Sequence, residues 1–443
     1  MAAMEWVSKW CSGRPGSEGS AGALGVPIQT LLGAVVVLAA IPVLVLCLPA
    51  QLVTMPFTPL TDAEETRSFS FLVYGDIQGN YKKSHNALVE RMLEESVDLV
   101  FNTGDISRDR GEHYARDFYP VIQKLAERVP FFPALGNHDV VWESPLSRYP
   151  FYVFFSEAYD YLSRQANNEH LLDSATQKLW YSLLYEDVLF IVLDSNLFID
   201  EGRYRRTHRL QAYRNHLAEQ MSWVKNLLEK SSSRPEIRAK FVFFHHSPFV
   251  SRETRPVLMW GGHPGHRRMV VNQTVPSERS DRKRYLLDLF RLHRVTAVFT
   301  GHEHYYERWR EIIWDKGRVS HALHWIVSGL GGVKPRGRPE YEEDEIQKLL
   351  EEEDTYRDYL KRVSDLNADW KAELQHMYPN ESSPEARFPN YVLVEVNGPA
   401  VQFRTKDTSG HIRDQGFFNL SRKSRPPRPG TTTQPEGPVR QGE

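Results

Sequence analysis

The stretch FSFLVYGD at residues 69–76 predicts a buried β-strand that ends in a glycine and a carboxylate. A short run rich in Phe, Leu and Val is typical of a central strand that is covered on both faces. The aspartate stands where the strand gives way to a loop. In α/β proteins, ligands collect at this end of the strands.

The same pattern of an apolar run followed by a polar loop recurs along the chain. The further runs are VDLVFNTGD (97–105), PFFPALGNHD (130–139), VLFIVLDSN (188–196), KFVFFHHSP (240–248), VTAVFTGHEH (295–304) and LHWIVSGLGG (323–332). Helical patterns lie between several of them, at 85–94, 114–127, 211–230 and 282–293. Strands that alternate with helices indicate βαβ units, so a layered α/β fold is expected. A β-hairpin that turns at residues 397–399 follows.

Five of these loops carry side chains of the types that commonly bind metals in proteins. They are Asp76, Asp105, Asn137 with His138 and Asp139, the pair His245 and His246, and His302 with His304. An aspartate or histidine after a single strand is usually a turn residue or a satisfied hydrogen-bonding partner. Five such loops at one edge of a sheet predict one polar cluster. The two cysteines, Cys11 and Cys47, both precede residue 50, so a metal in the later part of the chain must be held by His, Asp, Glu or Asn.

The order of the motifs resembles a known family. GDIQ (75–78), GDIS (104–107), GNHD (136–139), HSP (246–248) and GHEH (301–304) are similar to the successive motifs of calcineurin-like metallophosphoesterases. GHEHYYER (301–308) resembles the matching motif of purple acid phosphatases. The resemblance covers residues 69–333. It implies a β-sheet sandwich flanked by helices and a hydrolase that acts on phosphate ester bonds.

The resemblance also implies a ligand set for two metal ions. Asp105 would bridge the ions, Asp76 and His304 would complete one, and Asn137, His246 and His302 would complete the other. His246 is preferred to His245 because the ligand of this family stands two residues before the proline. Gln78 stands where many members have a histidine, so it is a further and weaker candidate ligand. Imidazole and carboxylate ligands suit Mn, Fe or Zn better than Ca.

The implied reaction is attack on phosphorus by a hydroxide that bridges the metals, with His138 as the general acid. Asp139 either orients His138 or is an ordinary turn carboxylate. Purple acid phosphatases have a tyrosine ligand three residues after the bridging aspartate, and this chain has Arg108 there. Obligate ferric iron is therefore not expected.

The substrate is expected to be a phosphorylated small molecule or a lipid-like phosphate ester. A phosphomonoester and a phosphodiester both fit the motifs. Alternatives are a phosphodiesterase or pyrophosphatase for a nucleotide or lipid head group, and a non-catalytic scaffold of the same fold. The complete ligand set favours an enzyme. A net charge of −2 argues against nucleic acid as a partner. The oligomeric state is not predicted.

Residues 31–50 form a 20-residue stretch without charge, which is long enough to span a bilayer. Lys9 and Arg14 precede it and acidic residues follow it, which places the amino terminus inside. We therefore expect a mobile segment at 1–30, one transmembrane signal anchor at 31–53 and a linker at 54–68, with the catalytic domain outside the cytoplasm.

The catalytic domain is expected at 69–405, with insertions near 142–180, 251–284 and 340–376. The second insertion is basic, and the third is acidic with a helical pattern at 346–363. Both charge runs are interpreted as solvated faces, with substrate selection by the basic loop as the alternative. The tail at 422–443 is rich in Pro, Arg, Thr and Gly and is expected to be disordered.

Overall fold

The computed structural model describes residues 54–60, 68–78, 82–107, 113–140, 149–172, 178–199, 210–252, 255–258, 286–334, 370–378, 386–398 and 400–418. The predicted mobile segment, the predicted anchor, Arg108, the helical pattern at 346–363 and the tail at 422–443 lie outside these residues. Within the described part, none of the helices combines the length and the apolar character needed to cross a membrane.

The strands account for most of the regular structure. They are β1 (Ser68–Tyr74), β2 (Leu99–Asn102), β3 (Phe131–Pro133), β4 (Tyr181–Tyr185), β5 (Val188–Val192), β6 (Ala239–His246), β7 (Phe249–Arg252), β8 (Arg255–Leu258), β9 (Ala297–Gly301), β10 (Tyr306–Asp315), β11 (Arg318–Ser328), β12 (Trp370–Tyr378), β13 (Asn390–Asn397), β14 (Ala400–Asp407) and β15 (Ile412–Phe418).

The helices connect and cover these strands. They are α1 (Lys82–Met92), α2 (Tyr119–Ala126), α3 (Tyr149–Phe154), α4 (Ser156–Ser163), α5 (Asn196–Ile199) and α6 (Leu210–Ser232), with a π-turn at Tyr114–Phe118 and a 3₁₀ turn at Glu169–Leu172. Residues 286–292 are also helical. The predicted helices at 85–94, 114–127 and 211–230 are confirmed.

The strands form two mixed sheets and a small two-stranded one. The six-stranded sheet has the order β15-β14-β13-β1-β2-β3, and the seven-stranded sheet has the order β12-β10-β11-β9-β6-β5-β4. In the first sheet β1, β2 and β3 are parallel neighbours. In the second, β5, β6, β9 and β11 are parallel neighbours. The predicted layered α/β fold is confirmed, and β13 pairs with β14 in an antiparallel arrangement, as the predicted hairpin requires.

Phenylalanines fill the space between the two large sheets. Phe101 of the first sheet stacks on Phe243 of the second, with ring centroids 4.3 Å apart. Phe71 meets Phe190 edge to face at 5.2 Å. All four rings have no exposed surface. Each aromatic side chain removes a large apolar area from water, so this layer holds the two sheets face to face.

The outer face of the seven-stranded sheet is covered by α6. Val224 and Leu228 of this helix belong to the same buried cluster as Ile191 of β5 and Val242 of β6. The strands of this sheet are therefore buried on both faces, as their continuous apolar sequences predict.

The structure extends the predicted domain at its carboxyl end. β15 pairs with β14 beyond residue 405, and Phe418 packs against Phe241 of the facing sheet with centroids 5.7 Å apart. Most positions of β15 are exposed and its sequence IRDQGFF is largely polar, so it lacks the continuous apolar run that identified the central strands.

Two of the predicted insertions also differ from expectation. Residues 370–376, assigned to the acidic insertion, belong to β12, which pairs with β10 at the edge of the seven-stranded sheet. The aromatic segment at 142–180 contributes α3 and α4 to the main core. There Phe154 stacks on Tyr114 at 5.2 Å.

Candidate metal centre

The predicted ligands come together at one edge of both sheets. The parallel strands β1, β2 and β3 end just before Asp76, Asp105 and Asn137, and the neighbouring strands β6 and β9 end at His246 and just before His302. Parallel neighbours direct their carboxyl ends to the same edge, so the loops after them converge. The side chains that converge are buried: Asp76, Asp105, Asn137, His246, His302 and His304 are each at most 8% exposed.

The backbone is strained where three of these residues lie. Asp76, Asp105 and His302 have φ values of 58°, 55° and 69°. A non-glycine residue in this region costs roughly 1–3 kcal/mol and persists only where the surrounding structure enforces it. Strain at three buried polar positions of one cluster is typical of a functional site.

Two glycines let the loops approach the carboxylates. A Cβ atom on Gly301 would lie 2.2 Å from Asp76 Oδ2, and one on Gly136 would lie 2.2 Å from Asp105 Oδ1. Distances this short do not occur between nonbonded atoms. The glycines before His302 and Asn137 are therefore required by contact with the carboxylates.

Backbone and side-chain donors surround the two carboxylates. The His302 amide donates to both oxygens of Asp76, at 3.0 and 2.9 Å. The His138 amide donates to Asp105 Oδ1 at 2.8 Å. The Gln78 side-chain nitrogen donates to Asp105 Oδ2. Gln78 therefore lies inside the cluster, where it is a hydrogen-bond donor to the predicted bridging carboxylate.

His245, which the sequence analysis ranked below His246 as a ligand, lies at the centre of the cluster. Its Nε2 is 3.2 Å from Asp105 Oδ1, 3.0 Å from Asn137 Oδ1 and 3.2 Å from His302 Nδ1. Its Nδ1 lies 3.0 Å from the carbonyl oxygen of Thr103. Between Phe243 and His246, β6 has one residue more than β9, and this β-bulge lets two consecutive histidines approach the site.

The electrostatics of the cluster centre on Asp105. Burial alone raises the pKa of this carboxyl, but the neighbouring His245, His138 and His302 bring the pKa well below its usual value. For His245, burial lowers the pKa, whereas the Asp105 carboxylate more than offsets this and raises it to about 9. Asp105 is therefore ionised and strongly attracts a positive charge.

The other histidines are oriented by groups outside the cluster. His304 Nδ1 lies 3.2 Å from the carbonyl oxygen of Lys334, and its Nε2 lies 3.6 Å from Asp76 Oδ1. His246 Nδ1 lies 2.8 Å from the hydroxyl oxygen of Ser195, a buried residue in the loop after β5. Ser195 follows the apolar run VLFIVLD, but no sequence signal connected it with the site.

Asp139 holds two loops together. It accepts hydrogen bonds from the amides of Ser107 and Gly136, both at 2.9 Å, from the Ile106 amide at 3.3 Å and from the Tyr114 hydroxyl at 2.9 Å. These contacts join the loop after β2 to the loop after β3. Asp139 therefore positions these two loops. A part for Asp139 in catalysis stays a prediction.

The donor set fits bound cations. One group, His245, His246 and His302, and another, Asp76, Asp105 and His245, each bring three ligand atoms within 4.8 Å of one another. Two buried carboxylates that face imidazoles and an amide oxygen need positive charge nearby. Nitrogen and oxygen donors of this kind suit first-row transition metals.

Comparison with known proteins identifies a family. The family model for calcineurin-like phosphoesterases matches residues 69–306. A comparison with curated proteins found no match.

Solved structures with a similar fold include three proteins. A purple acid phosphatase from yellow lupin seeds is 14% identical, with a TM-score of 0.46; the match covers 81% of this chain and 54% of the lupin protein, so the chain spans about half its length. GAP50 of Plasmodium is 14% identical, with a TM-score of 0.43. The match covers 81% of this chain and 90% of GAP50. A dimetal phosphatase from Danio rerio is 13% identical, with a TM-score of 0.42. The match covers 80% of this chain and 99% of the Danio rerio protein. All three likenesses are distant.

The positioning role of Asp139 predicts a loss of stability. Asp139→Ala leaves three buried amides and one hydroxyl without their acceptor, so we expect the free energy of unfolding to fall by about 3 kcal/mol. Urea unfolding of metal-free protein measures this change. Glu236→Ala, at an exposed ion pair with Arg234, is the control and should shift stability by less than about 0.5 kcal/mol. An unchanged unfolding midpoint for Asp139→Ala would contradict the positioning role.

Proposed function

This chain belongs to the calcineurin-like phosphoesterase family, and we propose that it hydrolyses phosphate esters. The reaction would use two metal ions held at the carboxyl ends of β1, β2, β3, β6 and β9. The observation that carries the proposal is the convergence of buried carboxylate, amide and imidazole donors around Asp105. A scaffold protein would have no need of three strained, buried polar residues in one cluster.

The ligands divide into two groups around Asp105. Asp76 and His304 lie on one side, with His304 Nε2 3.6 Å from Asp76 Oδ1. Asn137 and His302 lie on the other, with His302 Nδ1 2.9 Å from Asn137 Oδ1. His246, which belongs to one group of possible ligands with His245 and His302, completes the second group. Mn, Fe and Zn suit these donors. When bound, two such ions supply an activated water near neutral pH and neutralise charge on the phosphoryl oxygens.

His138 is the residue that we assign to protonation of the leaving group. Its backbone amide donates to Asp105 Oδ1 at 2.8 Å, and its imidazole is near enough to help lower the pKa of that carboxyl. The residue is only partly buried, which leaves its imidazole within reach of a substrate. An imidazole has a pKa suited to proton transfer near neutral pH. Asp139, one residue further on, fixes this loop.

The proposed substrate is a phosphorylated small molecule or a lipid-like phosphate ester. The metal ligands serve monoesters and diesters equally, so a panel of both types distinguishes them. Residues 259–285 and 335–369, which include most of the predicted basic and acidic insertions, lie outside the described residues.

Loss of the bridging carboxylate tests the two-metal proposal. Asp105→Asn should lower turnover by at least about 10²-fold, since an amide does not supply the charge that holds both ions. Metal analysis of the purified variant should show fewer bound ions than in the wild type. Full metal content together with full turnover would show that Asp105 does not bridge two metals.

The role of His138 is tested by the choice of leaving group. His138→Ala should retain the metals but lose about 10²–10⁴-fold in rate on an alkyl phosphate, whose leaving group needs a proton. The loss should be much smaller on an activated aryl phosphate. Equal losses on both substrates would rule out His138 as the general acid.

We also propose that residues 31–50 remain in the mature protein as a signal anchor, with the catalytic domain outside the cytoplasm. Support comes from the 20 uncharged residues and from the basic residues that precede them.

The anchor predicts that the amino-terminal segment stays attached. Sequencing of the amino terminus of the protein from the membrane fraction should begin ahead of residue 31. A sequence that begins near Gln51 would show cleavage and contradict the anchor.

A further inference from the structure

Two antiparallel strands near one edge of the seven-stranded sheet, β10 and β11, carry polar side chains that face the other large sheet. Arg308 of β10 binds Asp414 of that sheet, at 2.6 Å from Nε and 3.0 Å from Nη2. Alternate residues of a strand share a face, so Arg310 lies on the same face as Arg308. His324 of β11 pairs directly with Arg310 and contacts Phe418 of the facing sheet, with ring centroids 5.0 Å apart. Arg310 and His324 are therefore neighbours between the sheets.

The imidazole of His324 is buried without a hydrogen bond from any of the described residues. The residue is 3% exposed, and neither Nδ1 nor Nε2 has a partner. One nitrogen of a neutral imidazole always carries a proton, so the ring buries an unpaired donor. Buried polar groups in folded proteins are nearly always paired, and an exception calls for an explanation.

The guanidinium of Arg310 is a second donor without an acceptor. Its Nε is buried, and none of the carboxylates in the described part of the chain pairs with it. The carboxylate on this face, Asp414, is already occupied. It accepts two hydrogen bonds from Arg308 and a third, at 2.8 Å, from the Tyr306 hydroxyl. The positive charge of Arg310 is therefore left uncompensated there.

The charged groups that act on His324 are both cations. Burial lowers the pKa of His324, and the guanidinium groups of Arg308 and Arg310 help to lower it to about 3. The ring is therefore neutral near neutral pH and donates through one nitrogen, while Arg310 supplies the charge. Unpaired donors under a positive potential favour a bound anion.

These donors are open to solvent on one side and lie far from the metal centre. Arg310 is half-buried, as are Ile312 and Trp314, which follow it on the same face of β10. At the other end of β11, a Cβ atom on Gly329 would lie 3.2 Å from Asp76 Oδ2. Five residues separate His324 from Gly329, which is about 16 Å at the rise of a strand. One small ligand therefore cannot contact these donors and the metal ligands together.

We propose that Arg310 and His324 bind a small oxyanion, a phosphate or a carboxylate group, at a site separate from the metal centre. The planar guanidinium supplies charge and a fork of donors, and the imidazole N–H adds one directed hydrogen bond. A buried water would accept from the imidazole but would not balance the charge of Arg310. The site does not depend on the two-metal function, because it uses none of the proposed metal ligands.

Histidine-selective ¹H–¹⁵N spectra of the full-length chain follow this site directly. Inorganic phosphate and, separately, acetate are titrated at constant ionic strength, and His324→Gln identifies the ring signals of His324. We expect these signals to shift and to saturate with at least one of the two anions. Saturation by phosphate supports a phosphate group as the ligand, and saturation by acetate alone supports a carboxylate. Signals that stay in place, or that drift without saturation, would overturn the proposal.

A matched pair of arginine variants separates the site from a general effect of salt. Arg310→Gln should weaken anion binding at least about tenfold, because it removes the charge and its hydrogen bonds. Arg318→Gln removes an exposed arginine from the start of the same strand as His324 and should leave the affinity within about twofold. Equal affinities in the two variants would overturn the assignment.

Both measurements remain informative if His324→Gln does not fold. Arg310 is half-buried, so its substitution leaves the core in place, and the ring signal that loses its response in Arg310→Gln identifies the histidine beside it. Neither measurement uses turnover of a phosphate ester. Failure of the anion site and failure of the proposed two-metal reaction are therefore distinguishable.

Discussion

The constraint on which the site depends is the burial of two carboxylates, Asp76 and Asp105, between two sheets. A buried charge without compensation costs several kcal/mol. Amides of His302 and His138 offset part of this cost, and they reach the carboxylates only because the loops turn through left-handed conformations. The strained backbone, the closely approaching glycines and the surrounding imidazoles are therefore consequences of one requirement.

This requirement also explains why the core between the sheets matters for the site. Asp76 follows a strand of one sheet and accepts the amide of His302, which follows a strand of the other. A hydrogen bond of 2.9 Å across this boundary survives only if the sheets keep their relative position. The stacked pair of Phe101 and Phe243 fixes that position directly beneath the loops. Because protein interiors are closely packed, the core transmits its geometry to the site.

Sequence reasoning predicted the central strands and the residues at their ends, because a strand buried on both faces has a continuous apolar run. It did not identify β10, β12 or β15. These strands mix charged and apolar residues, and their conformation depends on a pairing partner. In β10, Arg308 lies between the sheets and binds Asp414 of β15 at 2.6 Å. That pairing joins residues 106 positions apart, so no local pattern predicts it.

The choice between His245 and His246 shows a different limit. All eight residues of β6 are buried, so no alternation of polar and apolar side chains reveals which histidine faces the carboxylates. The two rings are oriented by Thr103 and Ser195, which are 142 and 51 residues away from the histidines that they contact. A motif of three residues carries no information about either partner. In a centre of this kind, the atoms around the ligands orient the imidazole rings, and only the folded chain brings those atoms together.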